Sequence, residues 1–450
     1  LQINDLGAAL LDQYPLMFAS GAYKDYDILA DAIANYTGSI DSAIDDEIVI
    51  SLNDVIPAYM PDYEAFLNNE DYAFVKKAIT SDSGQIGAVS GYTYGNPNGL
   101  IMRKDWLDSL DMDVPVTYDD FYTILSAFKT KYDVAQPLLL FSDGSMNSDC
   151  ISGGYGVSFQ NGFVIEDGAV QYSMTTDGAK KYFTMMHKWY EDGLVSRDFA
   201  TENPKIGANY DGLWNAGQIG IMGGGTDYMS DSYTAADDPN YRAIAIADAV
   251  ENEGDMIHLG YTPSTDFTIN ASWSISTGCE DVELVPNFIN WFFTDAGSVA
   301  CSFGIEGEGY ELDESGNPVY TDLVINNPDG MTLFSTQLMY TSFNTPYLQD
   351  ERVFDSLYTC EEQREARTIW NANRDDTGVC LGSLTTEESE RYSAVFSDID
   401  TYVSEMVVKF ITGDENIDTT WDNFVSSVEA MGIADCEALK QAAYDRYQAR

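Results

Sequence analysis

Positive charge is what this sequence has least of. Only 22 Lys and Arg stand against 74 Asp and Glu in 450 residues, a formal charge of −52. The basic residues never cluster beyond pairs: Lys76-Lys77, Arg103-Lys104 and Lys180-Lys181. Binding a phosphate backbone through counterion release needs grouped cations, so nucleic acid and anionic lipid headgroups are excluded as partners. The acidity reads as a solvated surface that keeps the chain soluble. Histidine is as scarce, with His187 and His258 alone, and the six cysteines (Cys150, Cys279, Cys301, Cys360, Cys380 and Cys436) form no CxxC. No metal-ligand spacing results, so neither a zinc site nor any other metal or cofactor is expected. Scattered cysteines in a chain this long leave free thiols and disulfides equally open. No apolar run approaches the roughly 20 residues that span a bilayer. No secretory leader is visible in the sequence as it starts at Leu1, and any targeting segment is expected to have been removed.

Catalytic signatures are missing too. No GxSxG occurs, and two histidines leave little for a Ser-His-Asp set. "GIMGGGTDY" (220–228) and "GIEGEGY" (304–310) match neither a P-loop nor GxGxxG, and read as tight turns that can also bring backbone close to a ligand. "GDENID" (413–418) is too short for an EF-hand loop. Carboxylate pairs of the glycosidase kind cannot be picked out, because so many acids supply countless pairs.

What is present is an ordinary globular balance, 44% hydrophobic and 21% charged, with an aromatic content of 30 Tyr, 21 Phe and 7 Trp. The length predicts two or three domain-sized units. In "GLIMRKDWLDSLDMDVPVTYDDFYTILSAFK" the apolar run ending at Arg103 predicts a strand. Asp105 predicts the N-cap of a short helix, and Thr117 with Asp120 caps a second. Arg103-Lys104 reads as a surface or partner pair rather than a catalytic one. Helices are predicted over 176–190, 282–294, 421–431 (ended by Gly432) and 435–447. Strands are predicted over 48–52, 138–141, 219–222, 244–247 and 273–276, with a hairpin over 311–320. Strands alternating with amphipathic helices indicate an α/β fold with largely parallel sheets.

Rings recur beside small polar residues in "YTYGNPNG" (92–99), "GGYG" (153–156), "LWNAG" (213–217), "TDY" (226–228) and "NASWS" (270–274). Such mixtures suit sugars, whose C–H faces stack on rings while their hydroxyls pair with carboxylates and amides. Taken singly, each ring reads as core packing. Tyr155, Trp214, Asp227 and Tyr228 are the candidates these motifs supply.

Six stretches, "LMFASGAYKDYD", the 31-residue segment quoted above, "LWNAGQIGIMGGG", "NFINWFFTDAGSVACSFGIEGEGY", "GNPVYTDLVINNPDG" and "WDNFVSSVEAMGIADCEALKQAAYDRYQA", together resemble the extracellular solute-binding proteins of family 1. These are the maltose-binding-like lipoproteins of ABC importers in Gram-positive bacteria. The resemblance runs in the family's order over nearly the whole chain. It implies a two-lobed periplasmic-binding-protein-like fold of type II, each lobe a mostly parallel sheet flanked by helices, closing on a ligand at hinge crossovers. The implied N-lobe is 1–100 plus 273–325 and the C-lobe 101–272 plus 326–450. The N-lobe's first strand and helix, behind a lipid-anchored Cys, are expected ahead of Leu1. Crossovers near 99–103, 266–273 and 304–320 would border the cleft, which points to Tyr94, Asn98, Trp273 and Glu306; Ser20 and Asp25 match a loop at its rim. The implied activity is non-catalytic: capture of a carbohydrate, an oligosaccharide above all, for delivery to permease subunits by a monomeric, extracellular, lipid-anchored protein. A secreted carbohydrate-active enzyme, or a binder of peptide or another polar solute, stays open beside it.

Overall fold

The structure, a computed structural model, describes residues 10–33, 35–36, 38–93, 98–146, 149–160, 162–202, 210–230, 233, 236, 238–259, 272–329, 331, 333–342 and 345–450. The chain divides into two compact units, Leu1–Gly95 with Pro263–Leu357 and Asp445–Arg450, and Asn96–Thr262 with Tyr358–Tyr444. Residues 326–357 thus cluster with the first unit, where the sequence reading placed them in the second. Backbone bonds explain it: Ser342 N donates to Cys301 O (2.9 Å) and Tyr92 N to Tyr347 O (2.8 Å).

In the first unit β1 (Ile28–Ala30) and β2 (Val89–Ser90) flank β8 (Ser272–Ile275). Side chains alternate along these strands, so Val89 and Ile275 feed a core with Tyr63, Phe66, Ile289 and Phe293, while Leu29 joins Tyr14, Tyr23 and Val49 in another. A hairpin, β9 (Tyr310–Leu312) with β10 (Pro318–Tyr320), forms where expected. In the second unit β3 (Asn98–Arg103) lies between β6 (Ile221–Gly225) and β7 (Ala243–Ile246), and β4 (Phe163–Glu166) pairs with β5 (Ala169–Tyr172). The largest core lies here, built on Phe121, Phe128, Phe183, Phe410, Trp421 and Phe424.

The α/β class stands, but the pairing differs from expectation. Every pair of named strands among the described residues is antiparallel. The cause is topological. β3 and β8 follow the points where the chain passes into each unit, sit centrally, and oppose both neighbours. β6 and β7, each opposed to β3, run parallel to one another, and Leu138 adds a parallel bridge to Ile221. The runs at 48–52 and 138–141 make isolated bridges rather than strands.

Local signals worked where caps were explicit. Thr117 and Asp120 form a full capping box on the Tyr118–Tyr132 helix, and Thr176 caps Asp177–Glu191. Gly432, at φ 101°, ends the Ile417–Met431 helix. Arg103 is a correction. It is buried, bound to Asp105 (Nε–Oδ1 2.8 Å) and lies over the Trp106 and Tyr241 rings at 4.6 and 5.1 Å, not on the surface. It takes the N-cap position itself, and Asp105 falls in the first turn of Lys104–Ser109. The 27-residue helix Thr386–Thr412 was not anticipated, although Thr385 and Glu388 form a second capping box at its start.

Candidate functional site

The residues picked from sequence fall in several places. Tyr94 lies outside the described residues. Ser20 ends a helix and turns its hydroxyl back onto it, donating to Leu16 O (2.7 Å), and Asp25 is exposed at the end of a short turn. Trp273 is half-buried in β8, between Ala30 and Val89, with the Phe288 and Phe292 rings at 6.4 and 5.5 Å. Glu306 is exposed in the loop ahead of β9, between Gly304 and Gly307 at φ 87° and 83°. The turn reading of "GIEGEGY" holds there, because a side chain at 304 would overlap the Tyr340 carbonyl. Tyr155 belongs to a separate stack, parallel to Tyr118 at 4.4 Å. Trp214 is fully buried, its Nε1 donating to the Tyr241 hydroxyl (2.9 Å), so it is a packing residue with no face for a ligand.

Three candidates meet at one end of the second unit's sheet. Asn98 opens β3 directly opposite Gly225, the last residue of β6, and Asp227 and Tyr228 follow in the turn Thr226–Met229. The glycines before them have a steric purpose rather than a turn-forming one. A Cβ at Gly224 would meet Ile101 Cδ1 at 2.6 Å and Tyr228 Cδ2 at 3.1 Å. Their absence of side chains lets the Tyr228 ring fold back over the sheet, edge-on to Trp214 at 6.0 Å.

The turn is held from both sides. Gln363 Nε2 donates to Thr226 O (3.0 Å) and Cys360 Sγ to Met229 O (3.1 Å), both from the start of the Glu361–Trp370 helix. That helix is anchored by Trp370, whose Nε1 donates to Leu100 O (2.9 Å) and whose ring occupies the space a side chain at Gly99 would need. On the other side, the Tyr241 hydroxyl donates to Tyr228 O (2.6 Å).

Around Tyr228 stand residues that sequence reasoning missed. Its phenol donates to Asp211, the first residue of the Asp211–Asn215 helix. Tyr233 packs on Tyr228 at 5.5 Å and donates to Asn215 Oδ1 (2.6 Å). Nothing in the spacing of 211, 215, 228 and 233 announces this; only "YDGLWNAG" and "TDYMSDSY", each a ring beside an acid, hinted at it.

The electrostatics here are set by desolvation and by the neighbouring acids. Burial raises the Asp227 carboxyl above the usual range and the neighbouring Asp211 charge adds to it. Burial, then the Asp211 and Asp227 charges, push the Tyr233 phenol up to about 12. Tyr228 rises for the same reasons, burial first and then its bond to Asp211. The phenols therefore stay protonated through the physiological range. The surface presents half-buried rings, neutral hydroxyls that both donate and accept, and carboxylates that accept. That combination matches a polyhydroxylated guest.

His258 is exposed, with Nδ1 3.0 Å from Asp375 Oδ1. All six cysteines are free thiols. Among the described residues, no group of three or more His, Cys, Asp or Glu is placed to hold a metal ion, and no helix is long and apolar enough to cross a membrane.

The architecture is that of the solute-binding proteins of ABC transporters. An HMO-binding solute-binding protein from Bifidobacterium longum infantis superposes with a TM-score of 0.73 at 18% identity, over 98% of this chain and 90% of that one. Two sequence relatives carry the comparison further. Lipoprotein LipO of Bacillus subtilis is 23% identical over 76% of this chain and 67% of its own length. The fructooligosaccharide ABC transporter substrate-binding protein FusA of Streptococcus pneumoniae is 21% identical over 89% of this chain and 77% of its own. FusA solved with kestose superposes with a TM-score of 0.68 at 18% identity, over 98% and 91% of the two chains. No protein-family model matches the chain. The relatives and the fold agree with the family 1 resemblance read from the six stretches.

Proposed function

We propose that this chain is the substrate-binding component of an ABC importer, which captures an oligosaccharide without altering it and delivers it to membrane permease subunits. The observation that carries the reading is the surface built from Asp211, Asp227, Tyr228 and Tyr233, where rings and hydrogen-bonding groups converge at the end of β6. Carbohydrate recognition needs apolar faces for the sugar's C–H groups and fixed acceptors for its hydroxyls, and both are present within one rigidly held turn. The ligands for which the relatives are named, fructooligosaccharide for FusA and HMO for the Bifidobacterium protein, support the same class of ligand. On this reading the protein acts as a monomer outside the cell with a lipid anchor in its full-length form; the anchor alone draws support from the relative LipO, a lipoprotein by name. Asn98 and Trp273 remain candidate contacts on this reading, as do Ser20, Asp25, Tyr155 and Glu306.

Isothermal titration with kestose and longer fructooligosaccharides, with gluco- and galacto-oligosaccharides beside them, tests the proposal. Binding of at least one saccharide with a stoichiometry near one is expected. A protein that ignores all of them but binds a peptide tightly would refute the carbohydrate reading.

A further inference from the structure

The Leu284–Trp291 helix of the first unit is apolar on both faces. Its inner face is locked in place. Ile289 is fully buried, and Asn290 Oδ1 accepts from the backbone N of Asp62 (2.9 Å) and Tyr63 (3.1 Å), so it caps the Pro61–Leu67 helix. Its outer face should then be polar, since a surface helix buries one stripe and solvates the other. Instead Leu284, Phe288 and Trp291, spaced one and two turns apart, are 64%, 39% and 42% exposed, with Val282 beside them at 46%. Exposed singly such residues mean little; aligned on one stripe they mark an interaction surface.

The surroundings define what would cover it. Exposed Glu280, Asp281 and Glu283 precede the stripe and exposed Asp295 follows it. No Lys or Arg occurs anywhere from 243 to 351. The helices packed against this one, Val55–Tyr59 and Pro61–Leu67, also carry none, while Asp54, Asp62 and Glu64 sit on or beside them. The patch is an apolar stripe in a predominantly anionic field, where Arg352, paired with Asp350, is a cation that reaches Asp295. A second copy of the chain would bring acid against acid, and an anionic lipid surface would be repelled. The complementary partner is a protein surface with exposed aliphatic or aromatic residues ringed by Lys and Arg.

We infer that Leu284, Phe288 and Trp291 form the docking surface for a permease subunit whose contact face is apolar with a basic rim. This rests on the importer reading above, and the test separates the two. The double variant Leu284→Ser/Trp291→Ser changes exposed side chains and leaves in place Phe288, whose ring stacks on Trp273. It should keep the wild-type affinity for kestose, or for whichever saccharide the titrations identify. Its half-saturating concentration for stimulating ATP hydrolysis by the cognate permease–ATPase complex in nanodiscs should rise at least tenfold. Glu280→Lys/Asp281→Lys/Glu283→Lys should weaken the same step, and added salt should weaken the wild type. Stimulation by the double variant at wild-type concentrations would overturn the assignment. So would sedimentation of the wild type as a dimer that the variant abolishes, or wild-type binding to phosphatidylglycerol vesicles. A wild type that binds no saccharide yet engages the permease through this stripe would leave the docking surface standing and remove the sugar reading. One that engages no permease would remove both.

Discussion

At the scale of single residues, Asp227 and Tyr228 are where the chemistry concentrates. Replacing Tyr228 with Ala removes a ring and its hydrogen bond to Asp211, while Asp227→Asn keeps the shape and removes a charged acceptor. Hydrogen bonds to charged groups contribute about 1.5–3 kcal/mol, so Asp227→Asn should weaken saccharide binding roughly 10- to 100-fold by titration calorimetry. Asp227 also has a signature without ligand. Its carboxyl is raised in the folded chain, so the native state holds the proton more tightly than the unfolded state does. That contribution is neutral when both states are protonated and becomes unfavourable as pH rises through the carboxylate range. Wild type should therefore lose stability relative to Asp227→Asn as pH increases, measured by urea melts across acidic pH; a wild type that gains on the variant as pH rises would contradict the assignment. The sequence singled out Asp227 and Tyr228 as candidates because ring and acid are adjacent in "TDY". It could not reveal Asp211 or Tyr233, which reach the same place from other segments. It misjudged Trp214 because a Trp beside Asn and Gly looks the same whether it faces a guest or the core.

At the scale of elements, the clearest structural commitment is buried rather than exposed. Asp248, just beyond β7, pairs with Arg374 in the loop after the Glu361–Trp370 helix, and both are almost wholly inaccessible. Burial holds the Asp248 carboxyl above its usual range even beside the guanidinium, so desolvation outweighs the pairing. Removing one partner strands a buried charge. Arg374→Met alone should cost about 3–5 kcal/mol by urea denaturation, whereas Asp248→Leu/Arg374→Met should recover most of it. Equal losses in the single and double variants would mean that the pair stabilises the fold outright. Helices were readable in the sequence wherever a cap was spelled out, as at Thr117, Thr176 and Gly432. The same rule would have found Thr386–Thr412, whose "TTEE" start was passed over. Strand direction was not readable, because short apolar runs look alike whichever way they run, and only the path of the chain into each unit makes β3 and β8 oppose their neighbours.

At the scale of the whole molecule, charge and apolar surface are distributed unevenly along the chain. The first unit takes in 263–351, part of the stretch from 243 to 351 that carries no cation, and displays its exposed aromatic stripe there. The second holds the converging tyrosines and aspartates. The α/β class and the division into two units were expected from length, alternation and resemblance. The boundaries were harder to read, because 326–357 and 445–450 return to the first unit through backbone bonds and through Arg450 to Asp82 (2.8 Å), contacts no local pattern encodes. The central claim is that the protein holds a saccharide and leaves it whole. Native mass spectrometry after prolonged incubation with kestose, or with a tighter-binding oligosaccharide found by titration, reads both halves of that claim at once. The account predicts one intact sugar per chain and, after release, sugar of unchanged mass. Recovery of shortened products, abolished by substituting a single carboxylate, would make the protein an enzyme and contradict it.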